Sequence, residues 1–410
     1  MVRPLDGVRV VDLSQGAAGP VCTQLLGDFG ADVIKVEPPE GDWGRLLGPP
    51  FYLLLDGSRV AAAYVGMNRN KRSIVVDLKR SEGREVVLRL VRSADVLVES
   101  FRPGVLARLG LGPETLWEQN PRLVYCSISA FGQTGPWRDL PGVDGVVQAM
   151  SGLMSITGTE SGPPVKVGVP AADMTGGFLA AMGVLLALIA RQRTGRGQVV
   201  DMSLLDGLLA FQAIALATFF CSGQPPKRLG SAAPYAAPNE AFATRDGYVM
   251  VAAYTPERWR HLCEVLNCPH LADDPLFATN EARVCNRDAL RKLLEPIFRT
   301  RTTEEWVRCL READILCAPI LSYPEIVAQE HVAHRGMVVE LVHPQVGTAR
   351  VAGIPIRLSE TPGGIRRPAP LPGEHTLEIL QEAGYDEAAI GDLLESGVVR
   401  VWNPGMEMQP

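Results

Sequence analysis

The first 260 residues of this 410-residue chain contain no histidine: all six (His261, His270, His331, His334, His343 and His375) lie in the C-terminal part. Chemistry carried by the earlier residues therefore has no imidazole nearby in sequence to serve as a base. The eight cysteines (22, 126, 221, 263, 268, 285, 309, 317) include no C-x-x-C pair. They are too sparse for a disulfide scaffold, and reduced thiols in a cytoplasmic protein are expected. His331 and His334 stand three apart without a third ligand at metal spacing, so no metal is expected. Positive charge is not in excess: the net charge is −6, which gives no basic footprint for nucleic acid. The N-terminus has no apolar h-region, so no signal peptide is expected. The longest apolar run, residues 178–190, is short for a bilayer span and ends at Arg191 and Arg193. Neither G-x-G-x-x-G nor a P-loop occurs, so nicotinamide and ATP readings lack their usual fingerprint.

What is present reads as an ordinary globular composition, 46% hydrophobic and 21% charged, at a length that favours two domains. Strand patterns at 8–13, 32–37, 72–78, 94–98 and 122–128 alternate with helical patterns at 22–29, at 81–92 and from Pro103. That alternation implies an α/β fold with a mostly parallel, doubly wound sheet. Ligands of such sheets bind beyond the carboxyl ends of the strands, here 14–19, 77–79, 99–102 and 129–132. Lys71, Arg72, Lys79, Arg102 and Arg108 gather near these ends, as solvated charges or as phosphate partners. Long apolar helices are expected at 176–193 and 203–219. A Pro/Gly/Ala-rich stretch at 222–238 reads as a connection between domains. Beyond it come a hairpin at 241–252 with an Asp-Gly turn and helices at 256–266, 279–298 and 303–313. Short strands and a terminal helix follow from about residue 335. The expected division is a large domain, 1–224 completed by 331–410, and a small α+β domain, 225–330.

One segment concentrates chemical interest: Val165-Lys-Val-Gly-Val-Pro-Ala-Ala-Asp-Met-Thr-Gly-Gly177. It sets Asp173 between an extended, proline-containing run and a glycine pair at the start of an apolar helix. Such a carboxylate is either a helix cap or, if kept ionised and approachable, a nucleophile toward an activated carbonyl. Position alone leaves both open. A free N–H near Gly176-Gly177 would suit a tetrahedral oxyanion.

Seven segments in order resemble the class III CoA-transferases, the CaiB/BaiF or formyl-CoA transferase type. They are Gly30-Ala-Asp-Val-Ile-Lys-Val-Glu-Pro-Pro, Asn68-Arg-Asn-Lys-Arg-Ser-Ile-Val-Val-Asp-Leu-Lys79, Asp95-Val-Leu-Val-Glu-Ser-Phe-Arg-Pro-Gly104 and Asn120-Pro-Arg-Leu-Val-Tyr. Ser129-Ala-Phe-Gly-Gln-Thr-Gly-Pro136, Ala172-Asp-Met-Thr-Gly-Gly177 and Thr194-Gly-Arg-Gly-Gln198 complete the set. The resemblance implies a Rossmann-like large domain, a smaller domain and an interlocked homodimer. It further implies that Asp173 is the nucleophile in CoA transfer from an acyl-CoA donor to a carboxylic acid. The intermediates would be a mixed anhydride and an aspartyl-CoA thioester. Coenzyme A, as acyl-CoA co-substrate, would contact Ala17, Ala18, Val76, Asp77, Lys79, Ser100, Phe101, Arg102, Arg108 and the 141–144 stretch ending in Asp144.

The chain departs from the formyl-CoA:oxalate members in three places. The region 229–238 has only Gly230 where they carry a glycine run, Val143-Asp144 replaces a tyrosine-acid pair, and Ser100 stands for a frequent Asn. An acyl-CoA racemase of the same superfamily would need a histidine where Val143 stands. A non-catalytic acyl-CoA-binding protein would leave the Asp173 segment without a purpose.

Overall fold

The computed structural model of the protein describes residues 2–403. Fourteen strands are defined among the described residues, in chain order β1 (Arg9–Asp12), β2 (Asp32–Glu37), β3 (Phe51–Leu53), β4 (Arg59–Ala61), β5 (Lys71–Val76), β6 (Val96–Glu99) and β7 (Val124–Ser129). β8 (Val199–Ser203), β9 (Asn239–Ala243), β10 (Tyr248–Ala252), β11 (Leu316–Pro319), β12 (Val338–His343), β13 (Gly347–Ala352) and β14 (Val399–Arg400) follow.

The principal sheet has the order β14-β5-β2-β1-β6-β7-β8 and is parallel except for β14, which pairs antiparallel with β5. β5 and β7 are buried at every residue, as strands covered on both faces must be. Against one face pack Val86, Val87, Leu90 and Val91 of the helix Ser81–Arg92, with Ile379, Leu380, Ile390 and Leu393 from near the C-terminus. The helices Ala18–Asp28 and Ala171–Thr194 pack against each other and against sheet strands. The 24 residues of Ala171–Thr194 are long and apolar enough to cross a membrane by length and composition, more than the run 178–190 suggested. In this fold one side of that helix packs on β7 and β8, while Phe178, Met182, Leu186 and Ile189 on it are exposed.

Two compact units divide the chain. One comprises residues up to 153, 166–213 and 331 onward; the other comprises 154–165 and 214–330. The second unit holds the antiparallel sheet β11-β10-β9. Its core stacks Phe298 on Phe242 at 4.5 Å and sets Trp306 at 5.1 Å from Phe298.

Several helix limits differ from the sequence expectation. The first helix starts at Ala18 rather than 22, taking in Gly19 and Pro20, because proline is tolerated in a first turn where its missing N–H costs nothing. Pro103 does not open a helix: Gly104, at φ 79°, precedes a short one, Val105–Arg108. The 203–219 expectation resolves into two helices, Leu204–Phe211 and Ala213–Ser222. Likewise 279–298 resolves into Asn280–Cys285 and Arg287–Phe298.

Candidate active site

The helix that carries Asp173 begins five residues earlier than its glycine pair implied. Pro170 is its cap and Ala171 its first residue, which places Asp173 in the first turn and Gly176-Gly177 in the second. The glycine pair therefore forms no turn, and its N–H groups lie within the helix instead of facing a substrate, contrary to the oxyanion expectation. Gly177 has a packing reason to be glycine. A Cβ there would stand 2.6 Å from the carbonyl oxygen of Ala18. The close approach sets the second turn of this helix against the start of Ala18–Asp28, and Ala17, Ala18 and Asp173 line one cleft.

That cleft, about 360 Å³, lies wholly within the first unit at the carboxyl ends of β1, β6 and β7. Leu13, Gln15, Ala17 and Ala18 form one wall and Trp43 stands with them. Ser100 and Phe101 follow β6, Ile128 to Ala130 end β7, and Gly142, Val143, Asp144, Asp173 and Leu204 complete the lining. A narrower groove of about 150 Å³ shares Leu13, Gln15 and Phe101 and adds Asp77, Leu78 and Lys79 after β5. Two depressions that share lining residues thus stand where ligands of a doubly wound sheet bind.

Asp173 does not cap its own helix. Its side chain makes no capping bond, whereas Asp144 Oδ1 accepts the N–H of Ala172 at 2.8 Å and that of Asp173 at 3.4 Å. Gln148 Nε2 donates to the other Asp144 oxygen at 2.7 Å, and Gln148 Oε1 accepts from Val167 N at 3.0 Å. Asp144 thereby satisfies N–H groups of the helix terminus, leaving the Asp173 carboxylate free of that task. Burial pushes the pKa of Asp173 up to about 6, with the Asp144 charge adding to the rise. A carboxylate in that range is ionised at neutral pH and a better nucleophile than an ordinary one.

Of the ten residues expected to contact CoA, the structure brings Ala17, Ala18, Ser100, Phe101 and Asp144 into the cleft and Asp77 and Lys79 into the groove. Ser100 Oγ accepts the N–H of Gln15 at 3.1 Å, so the serine that replaces Asn ties two walls together. Phe101 packs on the core and lines both depressions. Arg102 and Arg108 are exposed outside both linings. Arg108 Nη1 lies 3.3 Å, and Arg138 Nη2 3.9 Å, from where a Cβ on Gly104 would be, a pair of converging cations. The Val76 side chain is buried in the sheet core, lining neither depression.

Lys71 and Arg72 are not ligand cations. Both lie at the amino end of β5 and are consumed by ion pairs: Lys71 Nζ with Asp12 at 3.1 Å, and Arg72 with Asp32, Glu378 and Glu382 at 2.7–2.8 Å. Burial lowers the Lys71 pKa to about 8, while Lys71 and Lys35 outweigh burial at Asp12 and hold it at about 2. His331 and His334 are exposed on the short helix Glu330–His334. No group of three or more metal-ligating side chains converges among the described residues. Gln15, Ser129 and Ala130 fall in the strand-end stretches 14–19 and 129–132, whereas sequence reasoning missed Trp43 and Leu204. Trp43 lies just past the quoted Val-Glu-Pro-Pro motif, in Gly41-Asp-Trp-Gly44, whose glycines were its one available signal.

The CoA-transferase family III model matches residues 5–376. The human succinyl-CoA:glutarate CoA-transferase is 39% identical over 97% of this chain and 90% of its own length. The succinate–glutarate CoA-transferase of Agrobacterium fabrum is 43% identical over 92% of this chain and 95% of its own. A crystal structure of a CaiB/BaiF family protein from Brucella suis superposes with a TM-score of 0.84 at 39% identity, covering 93% of this chain and all of that one. The chain belongs to CoA-transferase family III.

Proposed function

We propose that the protein moves CoA from a short dicarboxylyl-CoA donor to a dicarboxylic acid, with Asp173 as nucleophile. One observation carries the reading: Asp173 faces the cleft with its pKa raised to about 6, while Asp144 does the capping that its position invites. In this scheme Asp173 attacks the thioester carbonyl, the C–S bond breaks, and CoA leaves as thiolate with an acyl-aspartyl anhydride behind it. The thiolate attacks the aspartyl carbonyl of that anhydride, forming an aspartyl-CoA thioester and releasing the donor acid. The acceptor carboxylate then attacks the aspartyl thioester, expelling the thiolate and forming a second anhydride. Thiolate attack on its acyl carbonyl gives the new acyl-CoA and frees Asp173. Each step keeps the acyl group activated, so the anhydride must be shielded from water.

The names of the relatives support succinyl-CoA as donor and a five-carbon diacid as acceptor. Lys166 is the cation best placed for a distal carboxylate. Its Nζ lies 3.7 Å from where a Cβ on Gly145 would stand, beside Asp144. It makes no ion pair among the described residues. We further propose an interlocked homodimer. The exposed apolar side chains Phe178, Met182 and Leu185 line an almost wholly apolar groove of about 570 Å³ that suits burial against a second copy. Racemisation is disfavoured because Val143, and no histidine, lines the cleft.

Asp173→Ala is expected to abolish CoA exchange between succinyl-CoA and a panel of diacids while CoA still binds. Unchanged exchange would sink the nucleophile assignment. Deuterium wash-in at the α-carbon without acceptor would instead favour the racemase.

A further inference from the structure

Trp43 is 55% exposed, yet it is held more firmly than an exposed residue requires. Its indole rests on the backbone of Gly16, where a Cβ would come within 2.3 Å of Trp43 Cζ2; Gly16 also has φ +81°, which favours glycine. Beneath this contact lies an ion pair with no exposure at all, Lys35 Nζ to Asp42 Oδ2 at 2.7 Å. Asp42 Oδ1 accepts the N–H of Gly16 at 3.2 Å and that of Gly44 at 2.7 Å, so one carboxylate fixes both sides of the Gly16–Trp43 contact. Lys35 Nζ donates to Ser14 O at 2.9 Å, pinning the start of the same loop. Glu37 accepts the N–H of Asp42 at 3.0 Å and is itself clamped by Arg45.

A buried ion pair is costly to desolvate and is a poor device for stability alone. Here it joins the strand β2 to the segment that carries Trp43, and the same two side chains bond Ser14 and Gly16 of the loop after β1. Its solvent-side consequence is an indole lining the cleft that holds Asp173. We infer that Trp43 is a further ligand-binding residue that packs on the pantetheine arm of the acyl-CoA, and that Asp42 and Lys35 are its positioning residues. This rests on the CoA-transfer reading. The chemistry fits: the arm is a mixed amide and methylene chain, for which an indole offers a large apolar face.

The test is calorimetric titration of wild type, Trp43→Ala and Trp43→Phe with CoA and with adenosine 3′,5′-bisphosphate, which lacks the arm. Trp43→Ala is expected to weaken CoA about tenfold and to leave the bisphosphate within about twofold, with Trp43→Phe retaining most of the affinity. Unchanged CoA affinity in Trp43→Ala, or an equal loss for both ligands, overturns the assignment. Wild type that binds no CoA overturns the functional reading itself. For the positioning role, Asp42→Asn should weaken CoA binding, and adding Trp43→Ala should cost little more; fully additive losses contradict it. Thermal melts check that Asp42→Asn is folded. The Trp43 substitutions, at a half-exposed side chain, do not depend on that outcome.

Discussion

The carboxylate of Asp144 accepts the amide N–H groups of Ala172 and Asp173, at 2.8 and 3.4 Å, and so performs the helix cap that the position of Asp173 suggested for Asp173 itself. Two acids at one helix terminus thus hold separate tasks: one is bound to the backbone, and the other faces the cleft. Their proximity also raises the pKa of Asp173, adding to the effect of burial.

The pH dependence of turnover should report that arrangement. With the nucleophile required as carboxylate, kcat is expected to fall about tenfold per pH unit below about pH 6. Asp144→Asn removes the neighbouring charge, so its acid limb should move to lower pH even though turnover drops. A wild-type limb near pH 4, or an identical limb in the variant, contradicts the electrostatic account.

Stability should change in the opposite sense. The folded pKa of Asp173, about 6, lies above its ordinary value of 3.8, so the folded state holds the proton more tightly between those values. The stability this group contributes is complete below pH 3.8 and is lost as pH rises through about 6. Asp173→Asn, neutral at every pH, is therefore expected to stabilise the protein at pH 8 by about 1–2 kcal/mol, after discounting for partial solvent access. Urea denaturation at pH 8 measures this, and a less stable variant refutes it.

Gly177→Ala tests whether close helix packing builds the cleft. The added methyl meets the Ala18 carbonyl at 2.6 Å, a backbone atom that moves only with its helix. Overpacking of this kind costs about 1–3 kcal/mol. Turnover should fall more than tenfold while the protein remains folded by circular dichroism. Activity and stability at wild-type levels would show that the helices have room to spare.

Arg72 separates structural from ligand cations. Arg72→Gln breaks pairs with Asp32, Glu378 and Glu382 and should cost about 1–2 kcal/mol, since those partners are partly exposed. The KM for acyl-CoA should not change. A rise in KM without loss of stability would return Arg72 to the binding site.

Lys166→Met addresses substrate choice. The KM for succinyl-CoA and for the diacid should rise about tenfold, while a monocarboxylyl-CoA donor is unaffected. Equal effects on both donors would remove Lys166 from the acyl pocket.

The parallel sheet was legible because its strands are short, apolar and separated by helical periods, and the cleft followed from where parallel strands end. Helix limits were less legible. Proline and glycine were read as breakers at 19–20 and 176–177, yet at those positions they serve a first turn and a close helix contact. Cation roles at Lys71 and Arg72 were not legible because their partners come from distant segments, Asp12 on β1, Asp32 on β2, and Glu378 and Glu382 near the C-terminus. Trp43 had no periodicity to reveal it; only the Gly16 conformation and the buried Asp42 give it a place. The capping bond from Asp144 spans 28 residues, beyond any local pattern.

Covalent trapping tests the central claim most directly. The protein is incubated with succinyl-CoA, treated with neutral hydroxylamine, digested and sequenced by mass spectrometry. Aspartyl-CoA formation predicts a hydroxamate on Asp173, dependent on donor and absent from unmixed protein. Multiple-turnover CoA exchange with Asp173 unmodified, or modification of another carboxylate such as Asp144, would contradict it.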